Sequence, residues 1–301
     1  MLRIKLLFLF LLFLYSATLL AEFKVASYNI RNFDYDYRRR THTNKKSLLK
    51  LLKTVDADLY AVQEIISSDN FISFVANNLP EYQVKLTNCG GAGRQKLGFI
   101  YRKSLLTLVD FQEDKRLSMN ICSRGGRPGA VGHFILKQEG ERPAIPFIAV
   151  NLHLKAGSLQ QSADIRAKQY KIIEQMRQEY LASGDENYIF LGDFNTTDYN
   201  LGNHNHQTFI DFVAKNNLID LTQDMGCSYY WWGGRNGNGK YRGVLVDHIL
   251  VSNTMLDLFT GQRTQLYAHC QQYSCQDTPY VELGANFKEV SDHCPLVATL
   301  L

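Results

Sequence analysis

The chain has 301 residues, of which 45% are hydrophobic and 12% aromatic, a globular composition that excludes a disordered or low-complexity protein. This length is sufficient for one large domain or two small ones. The formal charge of +4 falls to about +2 without Arg3 and Lys5, an excess too small to indicate a nucleic-acid-binding protein by itself.

The N-terminal segment MLRIKLLFLFLLFLYSATLLA has the layout of a secretory signal peptide. Arg3 and Lys5 precede an apolar run, and the small residues that follow predict cleavage after Ala21. The run is short for a membrane span of about 20 residues, so an uncleaved anchor is the less favoured alternative. We therefore expect a secreted or periplasmic protein, with a signal peptide over 1–21 and one catalytic domain over 22–301.

Extended apolar runs alternate with a few helical patterns along the rest of the chain. Strands are predicted at 23–30, 57–64, 97–102, 130–136, 146–154, 187–194, 244–252 and 294–301. Apolar residues at helical spacing predict helices at 45–55 and 160–182. Because no linker, charge block or repeat divides the chain, this pattern predicts one domain with helices packed outside a two-layer sheet core.

Export makes disulfide bonds possible for the six cysteines, which allow fifteen pairings. Cys270 and Cys275 are close enough in sequence to close a short loop. A Cys89–Cys122 bond would brace a segment rich in Gly and Arg. Cys294, within the apolar closing run, fits a buried thiol, and no Cys/His spacing indicates a zinc site.

Polar side chains follow or interrupt the predicted core strands. They are Asn29, Glu64, His153, Asp193, Asn195, Asp247, His248, Asp292 and His293. Each has an ordinary structural explanation, such as a turn cap, an ion-pair partner or a half-buried histidine. Because strand ends are held rigidly, so many groups able to bind metal or move protons predict one functional site.

Six segments in order, YNIRNF, VQEI, NLHLKAG, LGDFN, VDHILVS and SDHCPL, resemble the motifs of the endonuclease/exonuclease/phosphatase superfamily. These metal-dependent phosphoesterases include the pancreatic-type deoxyribonucleases. The resemblance extends from about Phe23 to Leu301. It implies an α/β four-layer sandwich, with two facing mixed β-sheets, helices outside, and the active site at one edge.

The resemblance also implies a metal site with oxygen ligands. Glu64 corresponds to the principal ligand, and Asn29 and Asp292 lie beside it. Hard divalent cations prefer such ligands, so Mg²⁺ is the expected cofactor, with Mn²⁺ and Ca²⁺ as alternatives.

The same resemblance assigns the proton-transfer groups. His293 corresponds to the general base that activates water, and Asp247 to the carboxylate that holds its ring. Asp193 and Asn195 would bind or polarise the water and a phosphate oxygen. His153 corresponds to a second histidine that protonates the leaving oxygen or stabilises the transition state.

The expected substrate-binding residues are cationic. Arg127 matches a phosphate-binding arginine of the pancreatic-type enzymes, Arg124 is the alternative, and Lys155 is a further candidate. One residue departs from the family pattern: Gln95 stands where those deoxyribonucleases have a Glu behind the second histidine. Gln95 can orient His153 by a hydrogen bond but cannot stabilise its positive charge.

Two loops outside the motifs have a composition suited to nucleic acid. Residues 34–46 contain five basic side chains and two tyrosines, typical either of a phosphate-binding segment or of a solvated face. Residues 229–243 combine aromatic and basic side chains that suit base stacking, although Trp231 and Trp232 equally suit the core.

The favoured hypothesis is an exported, Mg²⁺-dependent nuclease that acts on DNA as a monomer without stable membrane association. A sphingomyelinase-like or phosphoinositide phosphatase-like enzyme is the alternative, and it would require an exposed apolar hairpin, for which 229–232 is the only candidate. A non-catalytic binding module is the third, and it would be favoured by loss of Glu64, Asp193 or His293, all of which are present.

Overall fold

Two six-stranded mixed sheets form the centre of the fold in the computed structural model, which describes residues 22–138, 143–197, 204–232 and 239–301. The predicted signal peptide lies outside these described residues. The first sheet has the spatial order β15 (Gln262–Leu266), β17 (Leu296–Leu300), β1 (Phe23–Phe33), β4 (Leu59–Ile65), β6 (Lys96–Arg102) and β5 (Tyr82–Leu86). Strand β1 is parallel to β4 and antiparallel to β17, with Phe23 opposite Leu300.

The second sheet aligns several predicted site residues in one row. Its spatial order is β11 (Leu218–Asp220), β14 (Asp247–Ser252), β10 (Tyr188–Asp193), β9 (Ile145–His153), β8 (Gly129–Leu136) and β7 (Leu106–Asp114). Asp193 at the end of β10 is opposite His153 on one side and Asp247 on the other. The register of these three strands therefore brings together groups that are far apart in sequence.

The alternation of side chains along each strand divides the core into three layers. Phe23 and Phe99 of the first sheet pack against Phe134 and Ile189 of the second, and this cluster fills the space between the sheets. The opposite face of each sheet packs against helices. The predicted four-layer α/β sandwich is confirmed.

Helices cover the outer faces of both sheets. They are α1 (Lys45–Val55) and α2 (Ser68–Asn78) on the first sheet, and α3 (Gln160–Ala182) and α4 (His204–Lys215) on the second. Of two short helices, α5 (Asn253–Asp257) packs Met255 into the cluster between the sheets, and α6 (Ala268–Gln272) packs Cys270 into a separate small cluster. The side chain of Asn44 caps α1 by accepting a hydrogen bond from the Ser47 N–H, and the left-handed Asp56 follows its last residue. The two helices predicted from periodicity, 45–55 and 160–182, are confirmed.

Two small sheets lie apart from the main sandwich. Strands β12 (Tyr229–Trp231), β13 (Lys240–Val244) and β16 (Thr278–Pro279) form one, and the hairpin of β2 (Tyr35–Asp36) and β3 (Thr41–His42) forms the other. The strand predicted over 244–252 is divided, because β13 ends at Val244 and β14 begins at Asp247.

Three disulfide bonds join the six cysteines: Cys89–Cys122, Cys227–Cys275 and Cys270–Cys294. The first was expected, whereas the expected Cys270–Cys275 loop and the free thiol of Cys294 are both wrong. Cys270 lies on α6, which packs beside the start of β17 and so beside Cys294. No helix in the described part of the chain is long and apolar enough to cross a membrane.

Candidate active site

Eight of the predicted site residues converge where the strands end. Glu64, His153, Asp193, Asn195, Asp292 and His293 line one cavity of about 500 Å³, and the buried Asn29 and Asp247 contact members of this set. The cavity is completed by the loop that carries β2 and β3 and by residues of β12. The expectation that strand ends would assemble one site agrees with this geometry.

His293 and Asp247 form a buried hydrogen-bonded pair. Asp247 Oδ2 lies 2.8 Å from His293 Nδ1, and the Tyr229 ring packs against the imidazole with centroids 4.6 Å apart. Burial alone would lower the pKa of His293, but the carboxylates of Asp247, Asp193 and Asp292 together outweigh it and raise that pKa to about 10. Asp247 therefore stabilises the imidazolium and leaves Nε2 directed to the other side-chain groups of the site.

A serine fixes the backbone that carries His293. Ser291 Oγ donates a 2.6 Å hydrogen bond to the Asn29 carbonyl and accepts one from the His293 N–H at 3.1 Å. This contact links the end segment of the chain to β1, and position 291 had not been singled out in the sequence.

Asp193 lies between the two histidines. Its Oδ2 is 3.2 Å from His153 Nε2 and 3.8 Å from His293 Nε2, and its Oδ1 accepts the Asn195 N–H at 3.0 Å. Burial raises the pKa of Asp193 to about 7, with the charge of His293 opposing that rise. A carboxyl group with this pKa can hold or release a proton near neutral pH.

Glu64 and Asp292 place two further carboxylates in the cavity. Glu64 Oε1 accepts from Asn29 Nδ2 at 3.2 Å, and Oε2 accepts the Asn32 N–H at 3.1 Å. Burial raises the pKa of Glu64, and the charge of Asp292 adds to that rise. Arg39 forms an ion pair with Asp292 at 3.0 Å, a contact that sequence reasoning missed although Arg39 belongs to the basic run.

Asn29 does not present its oxygen to the cavity as expected. Its Oδ1 accepts the Arg31 N–H at 3.0 Å, while Nδ2 donates to Glu64 at 3.2 Å and to Asp193 at 3.1 Å. Asn29 is thus a donor that links two carboxylates in this structure, and its role as a metal ligand stays a prediction. Buried carboxylates such as Glu64 and Asp193 need a hydrogen-bond donor, because an unpaired buried charge is energetically costly.

Gln95 does not contact His153, which corrects the expected hydrogen bond. Its Nε2 donates to Asn32 Oδ1 at 2.8 Å, and within the described part of the chain His153 Nδ1 has no hydrogen-bond partner. Burial lowers the pKa of His153 well below its usual value, and the charges of Arg127 and His293 act in the same direction. His153 is therefore held as a neutral imidazole.

The three expected cationic residues differ in position. The Arg127 guanidinium donates to the Leu154 carbonyl at 3.3 Å and feels the charges of Glu64 and Asp193, while burial lowers its pKa. Arg124 and Lys155 are exposed, and the Lys155 ammonium bonds to the neighbouring Ala156 carbonyl. None of the three residues lines the cavity. Only Arg127 is close to the buried acids.

Side chains of α3 hold the backbone of the loop that follows β9. The buried Arg166 donates to the carbonyls of Lys155 and Gly157, each at 2.8 Å, and to Thr197 Oγ1 at 3.0 Å. Gln169 accepts the Lys155 N–H at 2.9 Å. These contacts fix the wall of the cavity next to His153.

The acidic groups fit a hard divalent cation. Glu64, Asp193 and Asp292 supply carboxylate oxygens, the ligands that Mg²⁺, Mn²⁺ and Ca²⁺ prefer. Two of them, Glu64 and Asp193, have raised pKa values because burial and neighbouring acids disfavour their charged forms. A cation between Glu64 and Asp292 would offset this unfavourable charge.

The two-sheet sandwich brings acids, amides and a His–Asp pair together at one edge, a set of groups able to bind a divalent cation and activate water. The chain matches the model of the Endonuclease/Exonuclease/phosphatase family over residues 26–293 and belongs to that family. No curated protein sequence matches the chain.

Solved structures share the fold at low sequence identity. A Bacteroides thetaiotaomicron endonuclease/exonuclease/phosphatase family protein is 20% identical, with a TM-score of 0.61 over 93% of this chain and 97% of its own. A humanized D. rerio TDP2 is 16% identical, with a TM-score of 0.59 and coverage of 93% and 99%. The B. thetaiotaomicron mannosyl-6-phosphatase Bt3783 is 18% identical, with a TM-score of 0.58 and coverage of 93% and 99%.

Proposed function

We propose that the chain is an exported, divalent-metal-dependent nuclease that hydrolyses phosphodiester bonds of DNA. The observation that carries the proposal is the His293–Asp247 pair, whose ring faces Asp193 in a cavity that also contains Glu64 and Asp292. A phosphodiester requires charge neutralisation, an activated water and a group that assists the leaving oxygen. This cavity has side chains suited to each requirement.

His293 acts as the general base in this proposal. The surrounding carboxylates raise the pKa of His293 to about 10, and the positive charge of a divalent cation held by the acids of the cavity would lower that pKa and favour the neutral ring. Nε2 of the neutral ring then accepts a proton from the attacking water, and the resulting imidazolium is stabilised through Nδ1–H by Asp247 at 2.8 Å. Asp193 and Asn195 orient the water, since both line the cavity and are linked by the 3.0 Å backbone contact. Asp193 is also close enough to His293 to take part in proton movement.

His153 and Arg127 act on the phosphate and the leaving oxygen. A neutral His153 can donate one N–H to an oxygen but does not carry the positive charge of a strong acid. Arg127 supplies positive charge from the same side, because its guanidinium lies near Glu64 and Asp193. The leaving oxygen is thus stabilised by hydrogen bonding and charge rather than by an imidazolium.

Glu64 and Asp292 are the residues that would hold the divalent cation. When bound there, Mg²⁺ or Mn²⁺ would neutralise the phosphate oxygens and polarise the phosphorus for attack. Arg39, paired with Asp292 at 3.0 Å, holds that carboxylate in position.

A polymeric diester suits the mouth of the cavity. Arg38 supplies an exposed positive charge and Trp231, 46% exposed, supplies an aromatic face, and both residues line the cavity. Phosphates pair with arginine, and bases stack on aromatic rings without sequence preference. These features support a nucleic acid strand as substrate and DNA as the proposed polymer.

Export is supported by the three disulfide bonds together with the N-terminal sequence pattern. Disulfides form and persist in oxidising compartments. The proposed mature enzyme is a monomer without stable membrane association.

The test is a panel of substrates with the purified mature protein. Plasmid DNA, RNA, sphingomyelin and inositol phosphates are each incubated with Mg²⁺ or with chelator, alongside a His293→Ala variant. We expect Mg²⁺-dependent cleavage of DNA that the variant loses. Cleavage of sphingomyelin with DNA left intact would overturn the proposal.

A second candidate function is a phospholipid phosphoesterase. The observation that favours it is the pair Trp231 and Trp232, which are 46% and 50% exposed beside the cavity and would suit a lipid surface. The sphingomyelin and inositol phosphate arms of the same panel decide between the two functions.

A further inference from the structure

A second cavity of about 440 Å³ adjoins the active site. Asn32, Asp36, Arg38 and Gln95 line both cavities and form the wall that they share. The second cavity lies between the β2–β3 loop and the loop that precedes β6. It has no role in the chemistry proposed above.

Tyr37 gives this second cavity an exposed aromatic face. The residue is 74% exposed, and its ring meets Tyr35 edge-on with centroids 4.9 Å apart. Tyr35 in turn packs on His42 at 4.6 Å. The rings of Tyr35 and His42 therefore support Tyr37 from one side, and most of the Tyr37 surface remains accessible for stacking.

The charge balance of the second cavity favours an anion. Its two carboxylates already have partners: Asp34 pairs with Lys45 at 3.3 Å, and Asp36 pairs with the buried Arg31 at 3.3 Å. Arg38 and Arg94 line the cavity, are exposed, and have no ion-pair partner among the described residues. The charges in this cavity that lack an ion-pair partner are thus the two positive charges of Arg38 and Arg94.

Gln95 keeps the passage between the cavities neutral. Its amide is hydrogen bonded to Asn32 at 2.8 Å, and both residues belong to the shared wall. A carboxylate at position 95 would place a negative charge where a phosphate must pass. Gln95 therefore adds no electrostatic repulsion against an anionic ligand in either cavity.

We propose that the second cavity is a subsite for a nucleotide that flanks the scissile phosphate. The base stacks on Tyr37, and the adjoining phosphate lies between Arg38 and Arg94. This inference rests on the proposed nuclease function and goes beyond it, because it makes the preferred substrate a strand of several nucleotides rather than a small phosphate ester.

The experiment compares a single-stranded deoxyoligonucleotide of about 12 nucleotides with the small diester bis(p-nitrophenyl) phosphate. Tyr37→Ala is expected to lower kcat/KM for the oligonucleotide about tenfold because it removes a stacking surface. Arg94→Ala should lower it by about the same factor because it removes a phosphate contact. Cleavage of the small diester should stay within twofold of the wild type. Arg94→Ala should also reduce the salt dependence of oligonucleotide binding by about one counterion.

Two matched controls separate the subsite from a general loss of charge or aromatic surface. Lys46→Ala removes a charge from the same basic run, and Tyr280→Ala removes another exposed tyrosine; both residues lie outside the two cavities. Neither control should change oligonucleotide cleavage by more than twofold. Equal losses in controls and test variants, or no loss in Tyr37→Ala and Arg94→Ala, would overturn the subsite.

A binding measurement distinguishes failure of the subsite from failure of the proposed function. Fluorescence anisotropy of the oligonucleotide is measured with His293→Ala protein, with and without Tyr37→Ala. About tenfold weaker binding by the double variant supports the subsite, even if the wild type cleaves neither substrate and the nuclease proposal fails. Equal binding by the two proteins overturns the subsite whatever the activity.

Discussion

The floor and the rim of the catalytic cavity are built differently. On the floor, His153, Asp193, Asp247 and His293 are each less than a tenth exposed and are held by strand ends and hydrogen bonds. The rim comes from the small sheet and the loops and includes Trp231, which is 46% exposed. Proton transfer needs fixed distances, which rigid strands supply, whereas contact with a long substrate needs accessible surface.

The largest effect is expected on the floor, from Asp247→Asn. The amide cannot stabilise the imidazolium of His293 across the 2.8 Å contact, so kcat should fall about 10²–10⁴-fold. KM should change little, since Asp247 does not line the cavity. Steady-state kinetics with a small phosphodiester measure both constants, and an unchanged kcat would remove the proposed base from the mechanism.

The next prediction compares two disulfide bonds, one formed by the neighbour of His293 in sequence and one that joins the segments before β6 and β8. Cys270→Ala/Cys294→Ala removes a bond that spans 24 residues and adjoins His293, and should cost about 3 kcal/mol in the free energy of unfolding. Activity at a temperature where the variant is folded should fall as well.

The matched control for that prediction is Cys89→Ala/Cys122→Ala, whose bond spans 33 residues. Its stability loss should be similar, about 3 kcal/mol, while kcat for a small diester stays within twofold of the wild type. Urea denaturation and kinetics test the pair. Equal losses of kcat in both variants would contradict a special role for the bond beside His293.

The third prediction concerns the pH dependence of stability caused by His269, which lies beneath the floor of the cavity. His269 is 1% exposed, and burial lowers its pKa to about 4, with the Asp292 carbonyl opposing that shift. Because the unfolded histidine titrates near 6.5, the unfolded state binds the additional proton first as pH falls. This contribution to stability is complete above pH 6.5 and is lost progressively down to pH 4.

The expected loss from His269 is roughly 3 kcal/mol between those two pH values. In His269→Gln, the unfolding free energy should vary less over the same range, by about that amount. Chemical denaturation of both proteins at pH 7, 5.5 and 4 gives the comparison. Parallel curves for wild type and variant would exclude His269 as the titrating group.

The smallest effect is expected at the rim. Trp231→Ala should raise KM for DNA about fivefold and leave kcat within twofold, since it removes one stacking surface worth about 1 kcal/mol. Trp232→Ala is the control, because Trp232 is equally exposed but does not line the cavity. A large fall in kcat for Trp231→Ala would contradict the assignment of proton transfer to the floor and substrate contact to the rim.

Much of the floor was predictable because its residues lie next to strong local patterns. The apolar runs before Glu64 and Asp193 predict buried strands, and polar groups at strand ends stand out from such runs. Helix 45–55 was equally clear, since its apolar residues recur at helical spacing.

What the sequence did not reveal depends on contacts between distant segments. The orientation of Asn29 follows from the backbone of Arg31 and the carboxylates around it, and Gln95 turns to Asn32 rather than to His153. Cysteine pairing is decided by where α6 and β17 meet. Local patterns carry no information on such geometry.

The pairing of β1 with β17 bears on how the protein is made. Strand β1 is the first strand of the described chain, yet its antiparallel neighbour is the last, with Phe23 opposite Leu300. Asn29 therefore cannot meet His293 until a ribosome has released nearly the whole polypeptide. A nascent chain, or one that stops ten residues early, contains most of the sandwich sequence but no assembled centre for hydrolysis.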